Sequence, residues 1–144
     1  MQAYRIETVR VKEDNFPYEA QATFKSAESV IAFARSLQDA DIEKFLTLYL
    51  DQKHKLIGIT VQMGSLSISV VWPREVAKTA LLSCAAAVVF VHNHPSDELR
   101  PSLEDKDLTQ KLKNALGLFD IRVLDHLILG SEGKYFSFAE NLIL

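Results

Sequence analysis

The sequence predicts an α/β domain in which one mixed β-sheet is flanked by helices. Three observations carry that expectation. Apolar runs and amphipathic stretches follow one another in the order β-α-βββ-α-β-α-ββ, which a single sheet with helical cover accommodates. Residues 87–91, Ala-Val-Val-Phe-Val, are an unbroken apolar run, the pattern of a strand covered on both faces. The chain has 144 residues, 48% of them hydrophobic and 24% charged, which suffices for one sizeable core without staples.

Each element has a local reason. Residues 4–11 alternate loosely and predict an edge strand, followed by loop to residue 24. Residues 1–25 are therefore expected to be a strand-and-loop extension, with the main domain over 26–144. Ser26 can cap a helix whose stripe is Val30, Phe33, Ala34 and Leu37. Residues 45–50 and 56–61 are strands joined by the polar turn 51–55, which predicts an antiparallel hairpin. Residues 66–71 form a third run, an edge strand suited to pairing with an extended peptide.

Pro73 suits the first turn of a second helix, with Ala77, Ala80, Leu81 and Cys84 on its inner stripe. A third helix is expected from Ser102 to Gly117, a residue type favoured just past a helix end. Strands follow at 121–129 and 135–138, around the turn Gly130-Ser131-Glu132-Gly133.

Composition excludes several functions. The net charge of −3 provides no general attraction for nucleic acid. A single cysteine, Cys84, can form neither an internal disulfide nor a Cys-pair metal site, and it is expected to be a small core residue. No apolar stretch is long enough to span a bilayer, so no membrane partner is expected. The first residues lack the apolar segment of a secretion signal, and the expectation is a cytoplasmic protein.

The informative segment is Val91-His92-Asn93-His94-Pro95, directly after the apolar run. His92 and His94 are two residues apart, so in an extended chain their rings point the same way. Zinc takes neutral imidazole ligands, and a strand ending in two such rings is a natural beginning for a site. Two ordinary loop histidines are the other account of the spacing. In the third helix, Asp105 lies three residues before Leu108 and seven before Leu112, which projects it onto the buried face. Glu104 and Asp107 point outward. A buried carboxylate needs a partner, either the amides of its own helix or a zinc ion shared with His92 and His94. Two histidines and one carboxylate leave a fourth position for water, as catalytic zinc sites do.

His92-x-His94, seven residues, Ser102, two residues and Asp105 resemble the JAMM metalloprotease motif of the JAB/MPN fold. His92-Asn-His94-Pro95-Ser96, Pro101-Ser102, Glu104-Asp105, Thr109 and Val123-Leu124-Asp125-His126 resemble its bacterial RadC-like branch more closely. Upstream, Glu43-x-Phe45 leading into Leu50-Asp51, and Pro73-Arg74-Glu75-Val76, fit the same branch; the resemblance covers about residues 27–144. It implies a cytidine-deaminase-like α/β sandwich and a Zn²⁺ ion on His92, His94 and Asp105. It further implies Glu43 as general base and acid, and Ser102 as hydrogen-bond donor to a developing oxyanion. The implied activity is peptidase or isopeptidase hydrolysis of a peptide or protein substrate, whose identity the motif does not specify; nor does it specify an oligomeric state.

The sequence departs from the family at Asp97-Glu98, where Gly-Asp is usual. Asp97 lacks the freedom of glycine at positive φ, so the loop is expected to be restricted there, with added acid near the metal. RadC proteins often carry an N-terminal helix-hairpin-helix region, and none is expected within these 144 residues. A DNA-repair-associated binding or nuclease module is the alternative; its support is the RadC resemblance more than the residues, against an acidic net charge, with Arg100, Lys106, Lys111 and Lys113 as a candidate local basic patch. A catalytically silent interaction domain is the third.

The remaining polar residues have two roles each. Asp125-His126 either orients a ligand or is held within its own strand. Thr109 either bonds the Asp105 carboxylate or packs in the helix stripe. His54 and the Arg74-Glu75 pair are expected to be solvated.

Overall fold

A computed structural model of the chain describes residues 23–35, 41–63 and 71–144. The elements in chain order are α1 (Ala27–Phe33), β1 (Lys44–Leu50), β2 (Leu56–Met63), α2 (Pro73–Leu82), β3 (Ala87–Asn93), α3 (Leu103–Gly117), β4 (Arg122–Leu129) and β5 (Tyr135–Ser137). The expected strand at 4–11, the loop to 22, Leu37 and most of the run 66–71 lie outside the described residues. Among the described residues, no helix is long and apolar enough to cross a membrane.

The five strands form one mixed sheet in the order β2-β1-β3-β4-β5. Strand β1 pairs antiparallel with both β2 and β3, β3 pairs parallel with β4, and β4 pairs antiparallel with β5. The polar turn after Leu50 closes the predicted hairpin: Asp51 Oδ1 accepts the N–H groups of Lys53 and Lys55 at 2.8 and 2.9 Å.

Strand alternation sorts the core into two layers. Leu46, Leu48 and Leu50 of β1 join Ala87, Val89 and Val91 of β3 beneath Val30, Phe33 and Ala34 of the α1 segment. Phe45 and Tyr49 join Val88 and Phe90 on the other face, beneath Val76 and Ala80 of α2 and Leu108, Leu112 and Leu116 of α3. Every residue of β3 is buried, which is why its sequence is continuously apolar until His92. By the same alternation, His92 shares the face of Val88 and Phe90 and is aimed at α3.

The helix caps follow the sequence. Ser26 accepts the N–H of Ser29 at α1, and Pro73 opens α2. Ser102 and Asp105 form a reciprocal capping box at α3.

Two expectations need correction. The inner stripe of α2 is Val76 and Ala80 with Ala77 packed beside them, whereas Leu81 is 45% exposed and Cys84 is exposed. The helix stops at Leu82, and Cys84 adopts φ 53° in the turn that reverses into β3, so the stripe cannot continue to it. At the other helix end, Gly117 is the last helical residue, and the left-handed position falls on Asp120, with φ 57°. Asp tolerates that conformation better than most side chains.

Candidate metal centre

Three elements bring the chemistry together at the end of β3. His92 is the penultimate residue of the strand and completely buried; His94 follows the strand and is half-buried. Asp105 stands in the first turn of α3, also completely buried. The Nε2 atoms of His92 and His94 are 2.8 Å apart. Asp105 faces them, with Oδ1 3.3 Å from His92 Nε2 and Oδ2 3.5 Å from His94 Nε2.

Glu43 arrives from the β1 side. Phe45 pairs with His92 across the β1–β3 ladder, so Glu43, two residues earlier, comes level with His94 and on the same face. A carboxylate oxygen of Glu43 and ring nitrogens of His92 and His94 lie within 4.8 Å of one another, a group able to hold a metal ion. Glu43 is half-buried. Ser102 is exposed at the rim; its Oγ accepts the Asp105 N–H at 3.0 Å and keeps its own proton for donation.

The back of the site is wired by hydrogen bonds. His92 Nδ1 lies 2.7 Å from His126 Nε2, and His126 Nδ1 lies 2.6 Å from Thr109 Oγ1. Thr109 Oγ1 donates to the Asp105 carbonyl at 2.6 Å. Thr109 thus reaches the Asp105 backbone rather than its carboxylate. Asp125 accepts the backbone N–H of His126 at 2.7 Å, the Ser137 hydroxyl at 2.6 Å and the Ala139 N–H at 3.0 Å, fastening the chain after β5 to the strand that carries His126.

Beyond Pro95, the His94 ring is held by its Nδ1–H, which donates to the Glu98 carbonyl. The expected restriction at Asp97 is not what the loop shows. Asp97 adopts φ 61° and retains the left-handed conformation. Its carboxylate accepts the Ser131 N–H and, at 2.9 Å, the Ser131 hydroxyl. The Glu98 carboxylate accepts the Arg100 N–H at 2.8 Å. The two acidic side chains therefore serve the loop itself.

Burial lowers the His92 pKa and dominates the opposing pull of Asp105. Burial acts the same way on His94, but bonds to Asp105 and to the Glu98 carbonyl outweigh it and raise that pKa. Burial would raise Asp105, yet the two facing imidazoles hold its carboxyl far below the usual carboxylate range. His126 is pushed well below the ordinary imidazole value, by burial first and by His92 second.

These features fit a small divalent cation. Asp105 Oδ1 is buried and accepts no hydrogen bond among the described residues. Two ring-nitrogen lone pairs facing each other at 2.8 Å repel unless positive charge lies between them, and the Asp105 carboxylate points to the same place. Imidazole and carboxylate donors suit a borderline ion such as zinc.

Sequence reasoning missed Asn93. Its Oδ1 accepts the Lys44 N–H at 2.7 Å and its Nδ2 donates to the Ile42 carbonyl at 3.1 Å, flanking Glu43 on both sides. The only signal in the sequence was its place between the two histidines.

A mixed sheet, helices on both faces and a His-x-His pair facing a helix N-terminal carboxylate define a JAB-type domain. Residues 24–143 match the family described as RadC-like JAB domain, and the chain belongs to that family. Similar curated proteins carry the name UPF0758 protein. That of Syntrophotalea carbinolica is 44% identical over 123 residues, covering 84% of this chain and 54% of its own length. That of Trichlorobacter lovleyi is 47% identical over 113 residues, covering 78% and 49%. That of Chromohalobacter salexigens is 50% identical over 100 residues, covering 69% and 44%. The chain spans about half the length of these relatives.

Proposed function

We propose that this domain is a zinc metallohydrolase that cleaves peptide or isopeptide bonds. The convergence of His92 Nε2, His94 Nε2 and the Asp105 carboxylate at one buried point, with Glu43 beside it, carries this reading. Two carboxylates compete for the third ligand position. Asp105 is the better ligand, because it is completely buried and has an oxygen without a hydrogen bond. Glu43 is half-buried, so its carboxylate can meet water and substrate.

His92, His94 and Asp105 would hold the zinc ion, which when bound would supply a Lewis acid and lower the pKa of water to about 7. Glu43 takes a proton from the attacking water and returns it to the leaving nitrogen as the C–N bond breaks. Ser102 donates its hydroxyl proton to the carbonyl oxygen on which charge develops.

The test is metal content and zinc uptake, compared between the wild type and His94→Ala. About one zinc per chain, lost in the variant, supports the site and justifies screening amide substrates. No uptake by the wild type removes the hydrolase reading at its first step. Hydrolysis that survives both chelation and Glu43→Gln removes the mechanism.

A further inference from the structure

Zinc can bind His92 only through a nitrogen that carries a lone pair, so the ring's tautomer matters as much as its position. The hydrogen bonds behind the ring determine that tautomer, beginning at a carbonyl. The Asp105 carbonyl can only accept, and Thr109 Oγ1 lies 2.6 Å from it. The single hydroxyl proton of Thr109 is therefore used there. Thr109 Oγ1 must then accept from its other neighbour, His126 Nδ1, also at 2.6 Å. A neutral ring carries one proton, so His126 Nε2 is left as an acceptor. Its partner at 2.7 Å, His92 Nδ1, must be the donor. His92 Nε2 then presents its lone pair toward His94 and Asp105.

The surroundings fix the relay in place. His126 is completely buried, stacked on Phe138 at 4.6 Å between ring centroids and edge-on to Phe45 and Phe90 at 5.5 and 5.9 Å. Its aim at His92 depends on a slip in the sheet. Val88 pairs with Val123 but Val89 pairs with Asp125, which leaves Leu124 as an extra residue in β4. That bulge reverses the alternation of β4, bringing His126 level with Phe90 and onto the face that α3 covers.

We propose that Thr109 and His126 are positioning residues that lock His92 in the tautomer protonated at Nδ1, leaving Nε2 to bind the metal. The relay rests on the metal-site reading above. It also ties two metal-facing residues together, since it starts at the backbone of Asp105 and ends on the ring of His92.

Side-chain ¹⁵N NMR on the full chain reads the tautomer directly. Zinc competition against a chromophoric chelator reads its consequence. The wild type is expected to show His92 and His126 both protonated at Nδ1. Thr109→Val and His126→Phe keep volume and shape but cut the relay, and each should weaken zinc about 10- to 100-fold. Thr109→Ser restores the hydroxyl, and His126→Gln places an amide oxygen near the position of Nε2; both should recover most of the affinity. Wild-type protein that binds zinc with His92 protonated at Nε2 overturns the relay alone. So does zinc binding that Thr109→Val and His126→Phe leave unchanged. A wild type that takes up no zinc overturns the relay together with the site it serves.

Discussion

Asn93 Oδ1 accepts the backbone N–H of Lys44 at 2.7 Å, and through this bond the end of β3 sets the position of Glu43. The same amide donates to the Ile42 carbonyl at 3.1 Å, so the chain is gripped on both sides of the proposed base. Asn93→Ala leaves a part-buried donor and acceptor without these partners, at a cost of about 1–3 kcal/mol. Strand alternation turns its side chain to the opposite side from the two imidazoles. Zinc uptake is therefore expected to persist while hydrolysis falls, because only the base is displaced. A urea melt, a zinc titration and a rate measurement on one preparation separate the three effects. Loss of zinc uptake would show that the clasp supports the ligands as well.

Asp105→Asn and Glu43→Gln distinguish a ligand from a base. The former removes the charge that the two ring nitrogens face at 3.3 and 3.5 Å, and zinc should be lost. The latter should retain zinc and lower hydrolysis by about 10²- to 10⁴-fold, the usual share of a general base. The reverse pattern would assign Glu43 as the third ligand.

Gly130 lies against the loop that carries His94. A Cβ there would meet Asp97 Oδ1 at 2.5 Å and Leu99 Cδ2 at 2.8 Å. The Asp97 oxygen is no loose end, because it holds the Ser131 N–H. Gly130→Ala should thus destabilise the protein by about 1–3 kcal/mol and weaken zinc by shifting the Glu98 carbonyl behind His94. Thermal melting with and without zinc measures both. An unchanged melting temperature would mean that the loop yields freely.

The same contact has a pH signature. The Ser131 N–H first, and its hydroxyl second, hold the Asp97 carboxyl below its ordinary 3.8. A group whose folded pKa is depressed favours the folded loop above the ordinary value, and that contribution is lost as pH falls through the lowered one. The Ser131 amide resonance should therefore stay constant near neutrality and move only once the pH falls below the ordinary carboxylate value of 3.8. Asp97→Asn should abolish that transition. A shift centred near neutrality would identify a different titrating partner.

What was legible in the sequence was whatever depends on local periodicity. The unbroken apolar run 87–91 gave a strand covered on both faces. The two-residue spacing of His92 and His94 gave rings on one side, and the phase of Asp105 against Leu108 and Leu112 gave a buried carboxylate. What was hidden depends on partners far away in the chain. Asn93 bonds residues about 50 positions earlier, and no local pattern reports that. Strict alternation assigns His126 to the wrong face, because the extra residue at Leu124 is visible only in the pairing with β3. The α2 stripe failed for a related reason: periodicity does not say where a helix stops, and Leu81 and Cys84 lie at and past its end.

Leu112 tests whether the core and the metal centre are thermodynamically linked. It is completely buried under α3, the helix that carries Asp105 and Thr109. Leu112→Ala should cost about 2–5 kcal/mol, since the cavity adds to the lost transfer energy. Its apolar side chain lies two turns away from the carboxylate, so the metal site should form once the domain folds. A ligand that binds only the native state raises stability, by about 2.7 kcal/mol at a free concentration 100-fold above its dissociation constant. Zinc should therefore raise the melting temperature of both the wild type and Leu112→Ala, and leave His94→Ala unmoved. Equal shifts in all three proteins would place zinc elsewhere on the surface; a shift in the wild type alone would mean that the α3 core determines the geometry of the site.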